Sequence, residues 1–243
     1  MICYQQHFYD PTRPLDVQKL AELTQSEYVK TTVTACREHM KNNDRQSYDR
    51  AKRGLPLIIY CATFQPNTGK QGKNPEDTWR EQRSARLNGL VMVDFDHVDD
   101  PRGVWEKFMK DHFHWLDTDA CRQAILLAHV TPSGQGLRIV AMADPGIGNL
   151  WDNAVALGNA FHLQPDEACK DASRGSFCPM SEDILYINNL LFDYDNEDYD
   201  KRYGDMYREG RTRGLSPCGC PTSSPTKRLV STWDGMRNKR VCS

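Results

Sequence analysis

Two aspartates that follow an apolar run are the residues in this sequence best suited to metal chemistry. The run lies in the segment 90–100 (LVMVDFDHVDD), is rich in valine and leucine, and ends in a turn sequence, which is typical of a buried β-strand. Because successive side chains of a strand point to opposite faces, Asp94 and Asp96 are expected to share one face. Mg²⁺ prefers hard oxygen ligands of this kind. The pattern predicts a divalent metal site, and the alternative is that the aspartates only open a turn.

The same pair of carboxylates sets an expectation for stability. Two partly buried negative charges on neighbouring positions of one face repel each other unless a cation compensates them. Replacing both Asp94 and Asp96 with asparagine is therefore expected to leave the metal-free stability unchanged or to raise it.

A glycine-bearing turn joins two later apolar runs in the segment 131–140 (TPSGQGLRIV). Gly134 and Gly136 allow the backbone to approach a ligand closely, and successive N–H groups in such a turn can bind an anion. Ser133 lies in the turn, and Arg138 stands on the outgoing strand, where it is expected to meet phosphate. The alternatives are a hairpin without a ligand and an Arg138 that pairs with a carboxylate of the sheet.

Basic residues precede the strand that carries the aspartates. The segment 75–88 (PEDTWREQRSARLN) starts with proline, has acidic residues in its first turn and is followed by glycine, which predicts a helix. Its three arginines recur at every third position and are expected on one side of that helix, as nucleic-acid contacts or as a solvated face. The expected nucleic-acid contacts, with two lysines of the preceding loop, are Arg80, Arg83, Arg86, Lys70 and Lys73.

Three of these segments together resemble the motifs of the archaeo-eukaryotic primase superfamily of primase-polymerases. The motifs are VDFD (93–96), SGQGLR (133–138), and Asp166 followed eight residues later by Arg174. The chain most resembles the VirE N-terminal branch, which occurs in mobile elements beside helicase domains. In that branch a segment similar to 55–64 (LPLIIYCATF) precedes the first motif.

The resemblance covers roughly residues 50–195 and implies a fold, a chemistry and a set of site residues. The fold would be α+β, a primase-polymerase catalytic core with an RRM-like, mostly antiparallel sheet, helices and an N-terminal α/β module. The activity would be nucleotidyl transfer dependent on Mg²⁺ or Mn²⁺, in the replication of a mobile element or plasmid. The implied partners are nucleoside triphosphates, a single-stranded nucleic-acid template and a helicase acting in trans. The implied catalytic metal ligands are Asp94, Asp96 and Asp166, and the implied nucleotide-binding residues are Ser133, Gly134, Gly136, Arg138 and Arg174.

One departure from the superfamily keeps two other function classes open. The second motif commonly ends in histidine, whereas this chain has Arg138. This favours a catalytically weakened nucleic-acid-binding module of a mobile element. A metal-dependent nuclease or phosphotransferase could use the same carboxylates.

Charge is distributed unevenly along the 243 residues. Residues 201–243 contain ten Lys or Arg residues against three acidic ones, although the net charge of the whole chain is −2. The expected organisation is a catalytic domain over residues 1–200 and a basic, disordered tail or linker over residues 201–243. No apolar run approaches the roughly 20 residues of a membrane span, and the nine cysteines lack a CxxC pair, so a cytoplasmic protein with reduced thiols and no membrane partner is expected.

Periodicity along the chain predicts strands mixed with helices, with a central hairpin. This pattern is typical of an α+β fold with helices over a mostly antiparallel sheet. The expected helices are 16–43, 46–53, 75–88, 101–116 and 149–163, and the expected strands are 1–9, 57–64, 90–96, the hairpin over 124–142, and 184–187.

Overall fold

The structure is a computed structural model that describes residues 1–66 and 74–210. Lys70 and Lys73 lie outside the described residues. The strands are β1 Ile2–Gln5, β2 Arg13–Leu15, β3 Leu57–Ile59, β4 Ala62–Phe64, β5 Ala85–Leu87, β6 Leu90–Asp96, β7 Ile125–Val130, β8 Gly136–Met142, β9 Ser176–Phe177 and β10 Ile184–Ile187. The α-helices are α1 Val17–Gln25, α2 Glu27–Lys41, α3 Arg45–Lys52, α4 Pro101–His112, α5 Leu150–Phe161, α6 Leu190–Asp193 and α7 Glu197–Arg208.

The central sheet is antiparallel throughout, with the strand order β10-β7-β8-β6. Its middle strands and most of β6 are buried, because nearly continuous apolar runs need cover on both faces. Helices α4 and α5 cover one face, where Phe95 of β6 packs on Phe161 of α5 at 5.4 Å between ring centroids. Phe161 in turn stacks on Phe108 of α4 at 3.8 Å. The opposite face of β6, which carries Asp94 and Asp96, is therefore turned away from these helices.

A second antiparallel sheet, with the order β2-β1-β3-β9, lies next to the Asp94 face. Strand β9 pairs with β3, and Ser176 of β9 accepts a hydrogen bond from Arg138 of β8. The predicted strand 57–64 is divided at residues 60 and 61, since β4 pairs with β5 in a separate two-stranded sheet. The inner part of the aspartate face, at Asp94 and Arg138, thus packs against the second sheet, while Asp96 is exposed.

The predicted α+β class with mostly antiparallel sheets is confirmed. From β6 to β10, the central sheet and its two covering helices follow the order strand, helix, strand, strand, helix, strand. Strand β10 pairs with β7 and forms one edge of the sheet. Strand β6 pairs with β8 and forms the other edge. The finer expectation of a primase-polymerase core stays a prediction. In the described part of the chain, no helix combines the length and apolarity that crossing a membrane requires.

Side-chain caps start the two helices that follow the site strands. Asp100 accepts a hydrogen bond from the Gly103 amide at 3.0 Å and ends the turn after β6. Asn149 and Asp152 form a capping box at the start of α5. The predicted helix 16–43 is two helices, because the extended backbone of Ser26 ends α1 while its hydroxyl caps α2.

The predicted helix over residues 75–88 is wrong. Thr78 instead makes isolated β-bridges with Thr12 and Pro66, residues 82–84 form one 3₁₀ turn, and the following residues form β5. Local signals favoured a helix, but the segment gains its backbone partners from distant strands. Its arginines therefore do not share one helical face.

The predicted domain boundary after residue 200 is wrong, because it falls inside α7. Tyr199, Tyr203 and Tyr207 are buried at intervals of four residues along one side of that helix. The Tyr203 hydroxyl donates a hydrogen bond to the Pro145 carbonyl at 2.9 Å. The folded part of the chain thus extends through α7, and residues 211–243 lie outside the described residues.

Truncation of the chain tests whether the folded domain ends at residue 200 or includes α7. A chain ending at residue 200 loses Tyr203 and Tyr207, and loss of a large buried aromatic costs roughly 3–5 kcal/mol. We expect a markedly lower midpoint of urea unfolding for residues 1–200, and a midpoint near that of the full chain for residues 1–210. Equal midpoints for the two truncated chains would contradict the assignment of α7 to the folded domain.

Candidate metal site

A buried ion pair between two neighbouring strands forms the inner end of the candidate site. Asp94 of β6 and Arg138 of β8 are directly opposite in the sheet register. Their side chains are 4% and 6% exposed, and Arg138 Nη2 donates to Asp94 Oδ2. Arg138 Nη1 donates to Ser176 Oγ in the second sheet. The guanidinium thus compensates the charge of Asp94 and links the two sheets.

The edge position of β6 brings Asp166 to the same place. After α5 the chain reverses at His162, whose φ of 56° is left-handed, and returns along the outer side of β6. The Asp166 amide donates to the Asp94 carbonyl at 2.9 Å, and the Asp94 amide donates to Cys169 Sγ at 3.3 Å. These bonds use backbone groups on the side of β6 where the described residues contribute no neighbouring strand. Asp166 is therefore placed by the main chain of the strand that carries Asp94 and Asp96.

Asp94, Asp96 and Asp166 form an acidic cluster that could hold a metal ion. Each offers one carboxylate oxygen, and these oxygens lie within 4.8 Å of one another. Three equally spaced oxygens at about 2.1 Å from one ion lie at most about 3.6 Å apart, so the carboxylates must draw together by a distance on the order of 1 Å to bind it. Asp94 Oδ1 is buried without a hydrogen-bond partner among the described residues, as a cation ligand can be. The predicted convergence of the three residues is confirmed, whereas the identity of the metal stays a prediction.

The solvent exposure of the three carboxylates differs across the cluster. Asp94 is buried, Asp166 is partly exposed and Asp96 is exposed. Partial desolvation, followed by the charges of Asp94 and Asp166, raises the pKa of Asp96 above its ordinary value. The cluster therefore has uncompensated negative charge at its solvent end.

Arg174 bridges two of the carboxylates. Its Nη2 lies 2.8 Å from Asp166 Oδ2 and 3.5 Å from Asp94 Oδ2. Arg138 and Arg174 were both expected to hold a nucleotide, and both lie at the cluster. Each of them is engaged with carboxylates, which agrees with the alternative that Arg138 pairs with an aspartate of the sheet.

The glycine-bearing turn lies beside the cluster, because Gly136 is the register partner of Asp96. Gly134 has a φ of +76°, a conformation that favours glycine. A Cβ at Gly136 would lie 2.6 Å from Thr131 Oγ1, so packing also requires glycine there. The Ser133 hydroxyl lies 3.0 Å from Thr131 Oγ1. Local packing thus accounts for the turn, and its role in anion binding stays a prediction.

Arg80 and Arg86 serve contacts within the protein. Arg80 Nε donates to Gln5 Oε1 at 2.9 Å and its Nη1 donates to the Ser173 carbonyl at 3.1 Å. Arg86 Nη2 pairs with Asp195 at 2.8 Å. These partners take up much of the hydrogen-bonding capacity that nucleic-acid phosphates would need.

The third arginine is more exposed. Arg83 pairs with Glu81 at 3.0 Å, and 66% of its side chain is accessible. It does not lie on a common helical face with the other two, so the predicted placement of the three arginines on one helix is wrong, while a nucleic-acid contact by any of them stays a prediction.

Two further residues of the site were missed by sequence reasoning. His129 of β7 is the register partner of Arg138 and is fully buried, and burial together with Arg138 lowers its pKa to about 4. Its imidazole is therefore neutral at physiological pH. Lys52, at the end of α3, is half-buried, and the charges acting on it include Asp94 and Asp96. Strand register and tertiary packing reveal both residues, and no local motif marks either.

No protein-family model, curated protein or solved structure matches the chain. The geometry of the described residues is therefore the basis for a functional proposal.

Single substitutions should separate the roles of the two strand aspartates in the absence of metal. Asp94→Asn leaves the buried Arg138 uncompensated, which lowers the free energy of unfolding by about 3–5 kcal/mol. The sequence predicted an unchanged or higher stability when Asp94 and Asp96 are both replaced, whereas the ion pair predicts a loss of stability for Asp94→Asn. Denaturant unfolding in a chelator at pH 7 measures the change, and wild-type stability in Asp94→Asn would contradict the ion pair.

Asp96→Asn should have the opposite sign. The pKa of Asp96 is raised in the folded state, so its ionisation disfavours folding increasingly as pH rises from its unfolded value through its folded value. We expect the variant to be slightly more stable than wild type at pH 7, by less than about 1 kcal/mol because the site is exposed. The same unfolding experiment near pH 3 should show no difference, and a lower stability at pH 7 would contradict the like-charge cluster.

Proposed function

We propose that the protein is a metal-dependent nucleotidyltransferase of the primase-polymerase type, acting on a single-stranded template during replication of a mobile element or plasmid. The observation that carries this proposal is the convergence of the carboxylates of Asp94, Asp96 and Asp166 within 4.8 Å beside a glycine-bearing turn. The ordered motifs that resemble the primase superfamily supply these three residues and the turn. A cytoplasmic location and a helicase partner in trans belong to the same proposal.

The chain's own residues would divide the work at this site. A divalent ion held by the three carboxylates supplies Lewis-acid stabilisation of charge on a phosphate. Asp94 is fixed by Arg138 and presents its unpartnered Oδ1. Asp166 is fixed by its amide bond to β6 and by Arg174. Asp96 faces solvent, which is the side from which a nucleotide would arrive.

Nucleotidyl transfer suits a site built in this way. A hydroxyl oxygen bonds to the α-phosphorus and loses its proton to solvent water while the bond to pyrophosphate breaks, so the protein mainly has to position the reactants and compensate charge. The sheet holds the inner carboxylate of Asp94, and the outer carboxylate of Asp96 is open to solvent. Mg²⁺ and Mn²⁺ are the ions proposed for oxygen ligands of this kind.

A specific observation favours a second candidate, the weakened nucleic-acid-binding module. Arg138, which replaces the superfamily's usual histidine, is buried and bound to Asp94 and Ser176. A side chain held in this way does not extend toward a nucleotide. Activity that is weak or lost would follow if the histidine has an essential role.

Primer synthesis with labelled nucleotides on a single-stranded template tests the proposal. We expect Asp96→Asn and Asp166→Asn to lower product formation more than about 100-fold, because each removes a charged metal ligand. Asp99→Asn is the matched control, since Asp99 is an exposed aspartate of the following turn outside the cluster.

The outcomes of that assay distinguish the candidate functions. Extension that depends on the cluster supports nucleotidyl transfer. Template binding without product supports the accessory module, and template degradation supports a nuclease that uses the same carboxylates. Equal extension by the wild type and the cluster variants would contradict the assigned site.

The basic C-terminal segment is proposed to add nonspecific nucleic-acid affinity. Residues 211–243 contain seven Lys or Arg residues and one acidic residue. A chain ending at residue 210 should bind single-stranded DNA more weakly, with a flatter dependence of log K on log salt, because fewer phosphate charges are neutralised. Fluorescence anisotropy at several salt concentrations measures the slope. An unchanged slope would mean that the segment makes no phosphate contacts.

A further inference from the structure

Lys52 is a cation at the candidate site that is held by aromatic rings. Its Nζ lies 5.2 Å from the ring centroid of Tyr48 and 5.2 Å from that of Phe177. The side chain is half-buried at the C-terminal end of α3. Among residues 1–66 and 74–210, no carboxylate lies within ion-pair distance of this ammonium group. The rings orient the charge without neutralising it.

Lys52 lies beside the acidic cluster, because the Phe177 ring that it contacts directly follows Ser176, the hydrogen-bond partner of Arg138. Burial and the nearby Arg138 lower the pKa of Lys52, while Asp94 and Asp96 oppose that shift. The two site arginines differ from Lys52, since both Arg138 and Arg174 are ion-paired with cluster carboxylates. Of the three cations, Lys52 is therefore the one whose donors are available to an incoming anion.

Helix α3 also lies near the glycine-bearing turn. Tyr48 of this helix is buried, burial raises the pKa of its hydroxyl, and the side chain of Ser133 in the turn opposes that shift. One helix thus carries both Tyr48 and the ammonium group of Lys52. An anion bound beside the metal cluster would meet both features.

We propose that Lys52 binds the triphosphate chain of the incoming nucleotide. This inference rests on the proposed function and transfers to Lys52 the phosphate contact that the sequence assigned to Arg138. An ammonium group is a compact charge with three donors, suited to phosphate oxygens, and partial desolvation strengthens its attraction to them. The carboxylates repel a polyphosphate, and a cation close to them would offset this repulsion.

Binding of inorganic triphosphate to the full chain, measured by isothermal titration with Mg²⁺ and again with a chelator, tests the inference. Lys52→Ala should weaken binding about 10-fold or more, because a charge-assisted hydrogen bond is lost. Lys52→Arg keeps the charge and should retain most of the affinity. Arg53→Ala is the matched control, since it removes one positive charge from the adjacent, exposed residue and should change the affinity less than about 2-fold.

Several results would overturn the inference. One is an equal triphosphate affinity of the wild type and Lys52→Ala. A second is a loss of affinity in Arg53→Ala as large as that in Lys52→Ala. A third is no triphosphate binding by the wild type, with Mg²⁺ or with the chelator. Thermal melting of each variant shows whether it folds. If Lys52→Ala does not fold, the affinity of Lys52→Arg tests the role of the positive charge. If Lys52→Ala weakens binding of a single-stranded oligonucleotide but not of triphosphate, Lys52 contacts the template backbone and the inference is also wrong.

The inference and the proposed function can fail separately. Primer extension by the wild type together with unchanged triphosphate affinity in Lys52→Ala would overturn only the role of Lys52. Triphosphate binding that depends on Lys52, without primer extension, would support the phosphate contact and contradict nucleotidyl transfer.

Discussion

The buried ion pair between Arg138 and Asp94 is the interaction on which the site depends. Removing two charges from water costs several kcal/mol for each ion, and only close pairing with further hydrogen bonds offsets that cost. Arg138 donates hydrogen bonds to Asp94 and Ser176 and thereby joins two sheets. A slip of one residue in β6 would move Asp94 to the face covered by α4 and α5, where no such partner is described. The pair thus specifies the register that places the carboxylates together.

Much of the site could be predicted because its signals are local. An apolar run with two alternate aspartates predicts a shared strand face, and a glycine at the Gly134 turn matches its positive φ. The position of Asp166 rested on motif order alone, and the structure explains it through the unpaired edge of β6. Asp166 lies beside Asp94 because its amide hydrogen-bonds to the strand, a contact that spacing does not encode.

The errors have a common cause, which is that distant partners overrode local preference. Proline, acidic residues and glycine all favoured a helix over 75–88, yet pairing of Thr78 with Thr12 holds that segment extended. The charged composition after residue 200 concealed a stripe of tyrosines that packs α7 onto the core. The phosphate contact expected of Arg138 stays a prediction, while its bond to Asp94 follows from the register of β6 and β8.

Crystals soaked with Mn²⁺ and measured for anomalous scattering test the central claim most directly. The account predicts a manganese peak bounded by the carboxylates of Asp94, Asp96 and Asp166, at about 2.1 Å from an oxygen of each. Arg138 should remain bound to Asp94 when the ion is present. A peak elsewhere with none at these three residues, or Asp166 turned away from the other two carboxylates, would contradict the account.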